Sequence, residues 1–374
     1  MLELSSPIEL QRPSQIRFGP GCVATLAEWC QSRGYNRVFA VCDPVNAKRL
    51  DCLQIPVAGY FADIDREPDT TILSAALDAA KGGEVDLIVG FGGGSAMDLA
   101  KLVAVMVNST DQLANISGVG RAPARKLGLV QIPTTAGTGS EVGTRALITD
   151  AQTKNKIATE SLHMLADAAF IDPELTRSVP SHVTAATGVD ALAHCVEAFT
   201  SKRAHPIVDL YALEGIRLAG RFLKRAVDDG NDIEARTGMS LASYYGGLCL
   251  GPVNTTAGHA IAYPLGSRHG LPHGIANALI FPHVLAANAT SSSEKTTLIS
   301  QALGLEFVTP YTLEQSSLEY CAALGISMKI RDYNVPENDL KEMADEAANI
   351  RRLMDWNPVD LAASDVHRIY QSAW

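Results

Sequence analysis

The 374-residue chain is long enough for two domains with cores of their own, and its 47% hydrophobic and 19% charged content belongs to a packed globular protein rather than a disordered one. A formal net charge of −10 argues against nucleic acid or anionic membrane surfaces as partners, but leaves open a small anionic ligand, which responds to local charge. The first residues show no basic start before an apolar core, and no uncharged apolar run reaches the ~18 residues of a membrane span. Seven cysteines without a Cys-x-x-Cys pair read as free thiols in a reducing compartment, so the cytoplasm is the expected location.

In chain order, Arg37–Cys42 reads as a buried strand ending at Asp43, and Asp86–Gly90 as a second running into Gly92-Gly93-Gly94-Ser95. A helix is predicted over Ala96–Val107, then a third strand over Leu127–Ile132, ending at Pro133-Thr134-Thr135. Apolar strands separated by helices predict a mainly parallel sheet. Beyond Pro180 the spacing turns helical over Val183–Thr200, Pro206–Val227, Ile233–Leu250 and Gly274–Ala287. From Leu313 to the end, short helices broken at Pro336 and Pro358 are expected. The fold class expected is therefore an α/β dinucleotide-binding domain over residues 1–179 followed by an all-helical domain over 180–374.

Gly93, Gly94 and Ser95 stand between a strand and a helix, where glycine lets the backbone approach a phosphate and the helix-opening N–H groups face its oxygens. A tight turn without ligand fits that motif equally well. The second loop, Thr134-Thr135-Ala136-Gly137-Thr138-Gly139-Ser140-Glu141, is dense in hydroxyls and glycine, and two such loops after two strands favour a dinucleotide. Asp43, ending an earlier strand, can accept from a ribose 2′-hydroxyl and would repel a 2′-phosphate, which points to NAD over NADP; an ordinary turn aspartate is the plain alternative.

Asp190 and His194 are one helical turn apart on one face, His259 opens an apolar run, and His273 precedes a predicted helix. One carboxylate and three imidazoles suit Fe²⁺ or Zn²⁺ with a position left for a substrate oxygen. Spacing alone fits a surface pair and helix-capping histidines as well. His163, His182, His205 and His367 read as solvated, His283 as a core histidine, and His269 as a loop residue near His273.

At this point the chain resembles the iron-containing (group III) alcohol dehydrogenase family. The matching residues run in order: Phe18-Gly19-Pro20-Gly21, Asp43, the 92–95 loop with Asp98 and Lys101, Pro133–Val142, Asp172–Thr176, Gly188–His194, His259, Pro272-His273-Gly274 and Asn357-Pro358. The resemblance implies that Asp190, His194, His259 and His273 hold the metal, that Gly93, Gly94 and Ser95 bind pyrophosphate, and that Asp98 belongs to the cofactor site. It further implies that Thr134, Thr135, Thr138 and Lys156 contact NAD, and that the chain forms a homodimer or larger homo-oligomer with the iron alcohol dehydrogenase (dehydroquinate synthase-like) architecture.

Two departures stand out. Tyr263 replaces a histidine common in the family four residues after His259, and Gly143-Thr144-Arg145 replaces a more apolar stretch. The expected chemistry is hydride exchange between a nicotinamide and a small alcohol or aldehyde, with the ion as Lewis acid and with His273 and Tyr263 as the catalytic residues. Arg145 and His269, with Arg268 nearby, motivate the expectation of a substrate carrying a carboxylate, phosphonate or sulfonate, against the plainer reading of structural ion pairs. The competing readings are a glycerol-dehydrogenase-like polyol oxidase, a dehydroquinate-synthase-like metal lyase, and an NAD-binding scaffold without turnover.

Overall fold

A computed structural model describes residues 5–153 and 155–374; the residues before Ser5, which begin the expected leaderless N-terminus, lie outside it. By contact the chain separates into two compact units. One comprises Gln11–Thr135 and Gly139–Ser178; the other comprises the segment ending at Leu10, Ala136–Thr138 and Val179–Trp374.

Among the described residues the first unit carries nine strands: β1 (Gln15–Phe18), β2 (Val38–Cys42), β3 (Val57–Phe61), β4 (Leu87–Gly92), β5 (Gly118–Val119), β6 (Gly128–Pro133), β7 (Arg145–Thr149), β8 (Lys156–Glu160) and β9 (Ala168–Ile171). Its helices are α1 (Leu26–Arg33), α2 (Pro44–Ala47), α3 (Thr70–Lys81), α4 (Gly94–Met106) and α5 (Leu113–Ile116). Six strands form one sheet in the order β1-β9-β6-β4-β2-β3, with every pair parallel. Successive residues of β2 enter opposite cores. Phe39 and Val41 pack with Ile72, Leu99 and Val103, while Val38 and Cys42 pack with Leu26, Trp29 and Phe170. A sheet covered on both faces favours apolar residues at successive positions, which is why β2, β4 and β6 read as near-continuous apolar runs, broken in β6 by buried Gln131, whose Nε2 donates to Met97 O.

The other three strands form a small sheet, β5-β8-β7, in which β7 and β8 pair antiparallel from Arg145↔Glu160 to Thr149↔Lys156. Sequence reading did not anticipate it. Its strands are short, half-exposed and flanked by turns, so neither a long apolar run nor a clean alternation marks them.

The second unit is helical: α6 (Ser181–Thr200), α7 (Pro206–Asp228), α8 (Ile233–Leu250), α9 (Ala257–His269), α10 (His273–Asn288), α11 (Ser293–Leu303), α12 (Pro310–Ala323), α13 (Leu340–Ala348), α14 (Arg351–Met354) and α15 (Ala363–Ala373). Helix α10 serves two cores. Ala278, Phe281 and Leu285 pack with α6, α7 and α8, whereas Ala276, Leu279, Ile280 and Val284 pack with α9, α13 and α15. A helix buried on two sides is apolar nearly all round, as its sequence is. The α/β half with a mainly parallel sheet and the all-helical half are as expected from sequence. Among the described residues no helix is long and apolar enough to cross a membrane.

The run opened by His259, given no element of its own from sequence, is helical despite Pro264 inside it. Two local readings are corrected. His269 is the last residue of that helix, not a loop residue; Gly270 follows at φ 70° and closes the helix by donating to Gly266 O and Leu265 O. His205, expected to be solvated, is buried: it caps α7 by accepting from Ile207 N, and its Nε2 lies 3.2 Å from Ser6 O. His283 is a core histidine as read, with Nδ1 2.5 Å from Glu314 Oε1.

Candidate metal centre and cofactor edge

In the sheet unit, β2, β4 and β6 are parallel neighbours, with Cys42 opposite Phe91 and Gly92 opposite Pro133. Their carboxyl ends therefore release Asp43, Gly93 and Thr134 side by side on one edge, where open α/β sheets bind ligands. Gly92 is required there: a Cβ would lie 2.8 Å from Ala96 Cβ and 3.1 Å from Asp43 Oδ2. Gly93 is the N-cap of α4, and no described side chain caps the amides that open this helix, which leaves them to face an anion. Gly94 and Ser95 form the half-buried first turn.

Asp43 has a second task. Its Oδ1 accepts from Val45 N and Asn46 N, both at 2.9 Å, and so caps the one-turn α2. Asn46, absent from the expected site, ties the edge together by donating from Nδ2 to Asp43 Oδ2 at 2.5 Å and Thr134 Oγ1 at 3.1 Å. Asp98 is committed to the protein: Oδ1 accepts from Ser140 Oγ at 2.5 Å and Lys101 Nζ at 3.2 Å, and Oδ2 from Leu147 N at 2.9 Å. Buried Lys101 also donates to Arg145 O. Thr135 is half-buried. Lys156, at the start of β8, donates to Thr149 Oγ1 at 3.1 Å and pairs with Glu67. Thr138 falls in the helical unit.

Within that unit the four expected ligands converge. Asp190 and His194 share the face of α6, His259 comes from α9, and His273 opens α10. Gly274 lets α10 begin against α6, since a Cβ there would stand 2.6 Å from Ala186 O. The four donor atoms all lie within 4.8 Å of one another. Asp190 Oδ1 is 3.7, 3.4 and 3.5 Å from the Nε2 atoms of His194, His259 and His273. Ligands held ~2.1 Å from one tetrahedral ion stand about 3.4 Å apart, so these spacings fit a single divalent ion. Asp190, His194 and His259 are buried while the His273 side chain is 37% exposed, so the cluster opens on the His273 side.

The electrostatics of Asp190 and His194 suit ligation, whereas His259 must give up a proton to an ion. Burial pushes the Asp190 carboxyl up, but the His194, His273 and His259 rings outweigh it and hold the group well below the usual carboxylate range. Burial lowers His194 to about 4, which keeps it the neutral imidazole that a metal requires. Burial also opposes the imidazolium of His259, but Glu197 and Asp190 reverse this and raise it.

Sequence reasoning missed two residues here. Glu197, buried on α6, accepts at Oε1 from Thr256 N, Thr256 Oγ1 and His259 N at 3.2, 3.2 and 3.1 Å, and at Oε2 from His259 Nδ1. It thereby fixes the proton on Nδ1 and turns Nε2 to the cluster. Asn277 places Nδ2 2.6 Å from Asp190 Oδ1 and 3.1 Å from both His259 Nε2 and His273 Nε2. The helical spacings His194–Glu197 and His273–Asn277 were available as signals. The Tyr263 ring centroid, one turn beyond His259, lies 6.5 Å from that of His259 and 6.1 Å from that of His273. Arg145 pairs with Glu160 at 2.8 Å, Arg268 with Glu342 and Glu346 at 2.9 and 2.6 Å, and His269 Nε2 stands 3.4 Å from Asp339.

Comparison with known proteins gives matches over both units. The profile of the iron-containing alcohol dehydrogenases matches residues 13–173, and that of the C-terminal part of the Fe-containing alcohol dehydrogenase family matches residues 184–374. Long-chain-alcohol dehydrogenase 1 of Geobacillus thermodenitrificans is 34% identical, over 97% of this chain and 95% of its own. Among solved structures, a 1,3-propanediol oxidoreductase superposes with a TM-score of 0.93 at 30% identity, covering 99% of this chain and 100% of its own. A sulfoacetaldehyde reductase from Bifidobacterium kashiwanohense, solved with NAD⁺, gives 0.89 at 28% identity, with 99% of each chain covered.

Proposed function

The chain belongs to the iron-containing alcohol dehydrogenase family, and from that premise we infer that its ion is held by Asp190, His194, His259 and His273 and its NAD by the edge formed at Asp43, Gly93 and Thr134. The protein is an NAD-dependent alcohol dehydrogenase acting on small alcohols and aldehydes. The observation that carries the site assignment is the convergence of one carboxylate oxygen and three imidazole nitrogens within 4.8 Å. A divalent ion bound there would supply Lewis acidity toward the substrate oxygen, and bound NADH would give, or NAD⁺ accept, the hydride.

The protein's own groups do the rest. Glu197 sets the tautomer of His259, and Asn277 steadies the Asp190 carboxylate. Gly93, Gly94, Ser95, Thr135 and Thr138 are assigned to the cofactor's phosphates and nicotinamide half, and Asp43 and Lys156 to its ribose. Thr134 and Asp98 belong to the same cofactor edge, and their bonds with Asn46, Ser140 and Leu147 also hold the loops that carry these groups. Tyr263, beside His259 and His273, is assigned the alcohol proton. Arg145 and His269 are secondary candidates for the substrate's far end, since each already faces a carboxylate.

Cofactor binding is assigned to residues 1–179 and the metal chemistry to 180–374. Seven cysteines, all unpaired, support a cytoplasmic location, and the family resemblance supports a homodimer or larger homo-oligomer. Following NADH oxidation with a panel of aldehydes, with and without added Fe²⁺ or Zn²⁺, tests the reading: metal-dependent turnover is expected, and NADH binding without turnover on any aldehyde overturns it.

A further inference from the structure

The cations that sequence singled out for the substrate are compensated, since Glu160 faces Arg145 and Glu342 and Glu346 face Arg268. A different arginine is not. Arg352, on the one-turn α14, lies with its Cζ 5.7 Å from the centroid of the Tyr263 ring. Among the described residues it has neither a hydrogen bond nor an ion pair; the nearby Asp355 is taken by Arg351. The ring beneath it is the one that borders His259 and His273. Two ring contacts in series thus lead from an uncompensated guanidinium to the exposed edge of the metal cluster.

The position is built rather than incidental. Leu353 and Met354, which follow Arg352, are buried in the core shared with α9. Just beyond them Asn357 and Asn288 exchange two buried amide hydrogen bonds, of 2.8 and 3.0 Å, pinning this segment to α10, the helix that carries His273. The exposed guanidinium is therefore presented from anchored backbone over an aromatic face, so less ordering remains when it binds an anion. Its planar fork matches carboxylate, sulfonate and phosphonate oxygens.

We propose that Arg352 selects the substrate, pairing with an anionic head group at the far end of a short aldehyde or alcohol whose oxygen is held at the metal cluster. The proposal rests on the functional reading above and narrows its substrate class to short ω-anionic aldehydes and alcohols. Tyr263 supports the guanidinium and spaces it from the reacting carbon.

The test uses the metal-loaded enzyme, NADH, and two aldehydes of equal chain length, succinic semialdehyde and butanal, in wild type, Arg352→Ala and Arg352→Lys. Charge-assisted pairing of this kind corresponds to a discrimination on the order of 10- to 100-fold. The ratio of kcat/KM for succinic semialdehyde over butanal is expected to fall by that factor in Arg352→Ala, mainly through KM. Arg352→Lys, a point charge without the fork, recovers part of it. Sulfoacetaldehyde and phosphonoacetaldehyde, run alongside, rank the head groups. An unchanged ratio overturns the role of Arg352, as does an equal loss on both aldehydes, which marks a merely structural residue. A wild type that turns over neither aldehyde with metal present overturns the functional reading as well, so the two failures are distinguishable.

Discussion

Glu197→Gln tests how the protein prepares its metal ligand. The carboxylate accepts three hydrogen bonds at Oε1, from Thr256 N, Thr256 Oγ1 and His259 N, and one at Oε2 from His259 Nδ1. A glutamine cannot accept at both ends. If its oxygen stays with the three donors, its NH₂ faces His259 Nδ1 and favours the tautomer whose proton sits on Nε2, the atom turned to the cluster. If the amide flips, three donors lose their acceptor, two of them buried backbone N–H groups whose desolvation costs about 1–3 kcal/mol each. The first arrangement is cheaper for the fold and spoils ligation. Partners of this kind account for about 10- to 100-fold in metal affinity, roughly 1.4–2.8 kcal/mol. Competition with a chromophoric chelator measures the affinity and thermal unfolding of the metal-free protein measures the fold. The expected result is weakened metal retention with the metal-free melting temperature little changed. Wild-type metal affinity in Glu197→Gln would refute the orienting role.

The remaining predictions concern the cofactor edge, a buried acid and the proton. Asp43→Ser retains an N-cap for α2 while removing the charge that repels a 2′-phosphate, so the NADH:NADPH ratio of kcat/KM should fall by roughly tenfold or more; an unchanged ratio removes Asp43 from selectivity. Glu141 is buried with Oε2 unpartnered among the described residues, and burial raises its carboxyl from 4.5 to about 7. A raised carboxyl holds a proton that the unfolded chain releases, so its contribution is complete below pH 4.5 and is lost as pH climbs through about 7. The slope is at most about 1.4 kcal/mol per pH unit. Urea titrations of the metal-free protein between pH 5 and 7.5 should show a steeper loss for wild type than for Glu141→Gln; parallel profiles contradict this. Tyr263→Phe keeps the ring but removes its hydroxyl, so kcat should drop by about 100-fold if that hydroxyl carries the proton. An unchanged kcat hands the proton to water or a ribose hydroxyl.

Legibility followed burial and locality. Strands β2, β4 and β6 were readable because a sheet covered on both faces favours near-continuous apolar runs, and α6, α7, α8 and α10 because their spacing is long and regular. The small sheet was not, since β7 and β8 are short and half-exposed. Nor was α9, where Pro264 and a row of small residues hide the period. Asp190 and His194 show their shared face through helical spacing; His259 and His273 were joined to them by the family resemblance, and the fold adds the convergence of all four within 4.8 Å. Glu197 and Asn277 sit at helical spacing from ligands and look like ordinary helix residues until their partners are seen. The partners of the arginines were least legible: Glu160, Glu342 and Glu346 face the cations that motifs drew attention to, while Arg352 has no ion pair among the described residues, which no local pattern announces.

The central claim is that Asp190, His194, His259 and His273 hold one divalent ion on which turnover depends. Elemental analysis of the purified protein, paired with NADH-dependent aldehyde reduction before and after chelation, tests it most directly. One ion per chain is expected, with activity lost on its removal, restored by Fe²⁺ or Zn²⁺, and not restored in His259→Ala. Full turnover by a metal-free preparation, or by His259→Ala, would contradict the account.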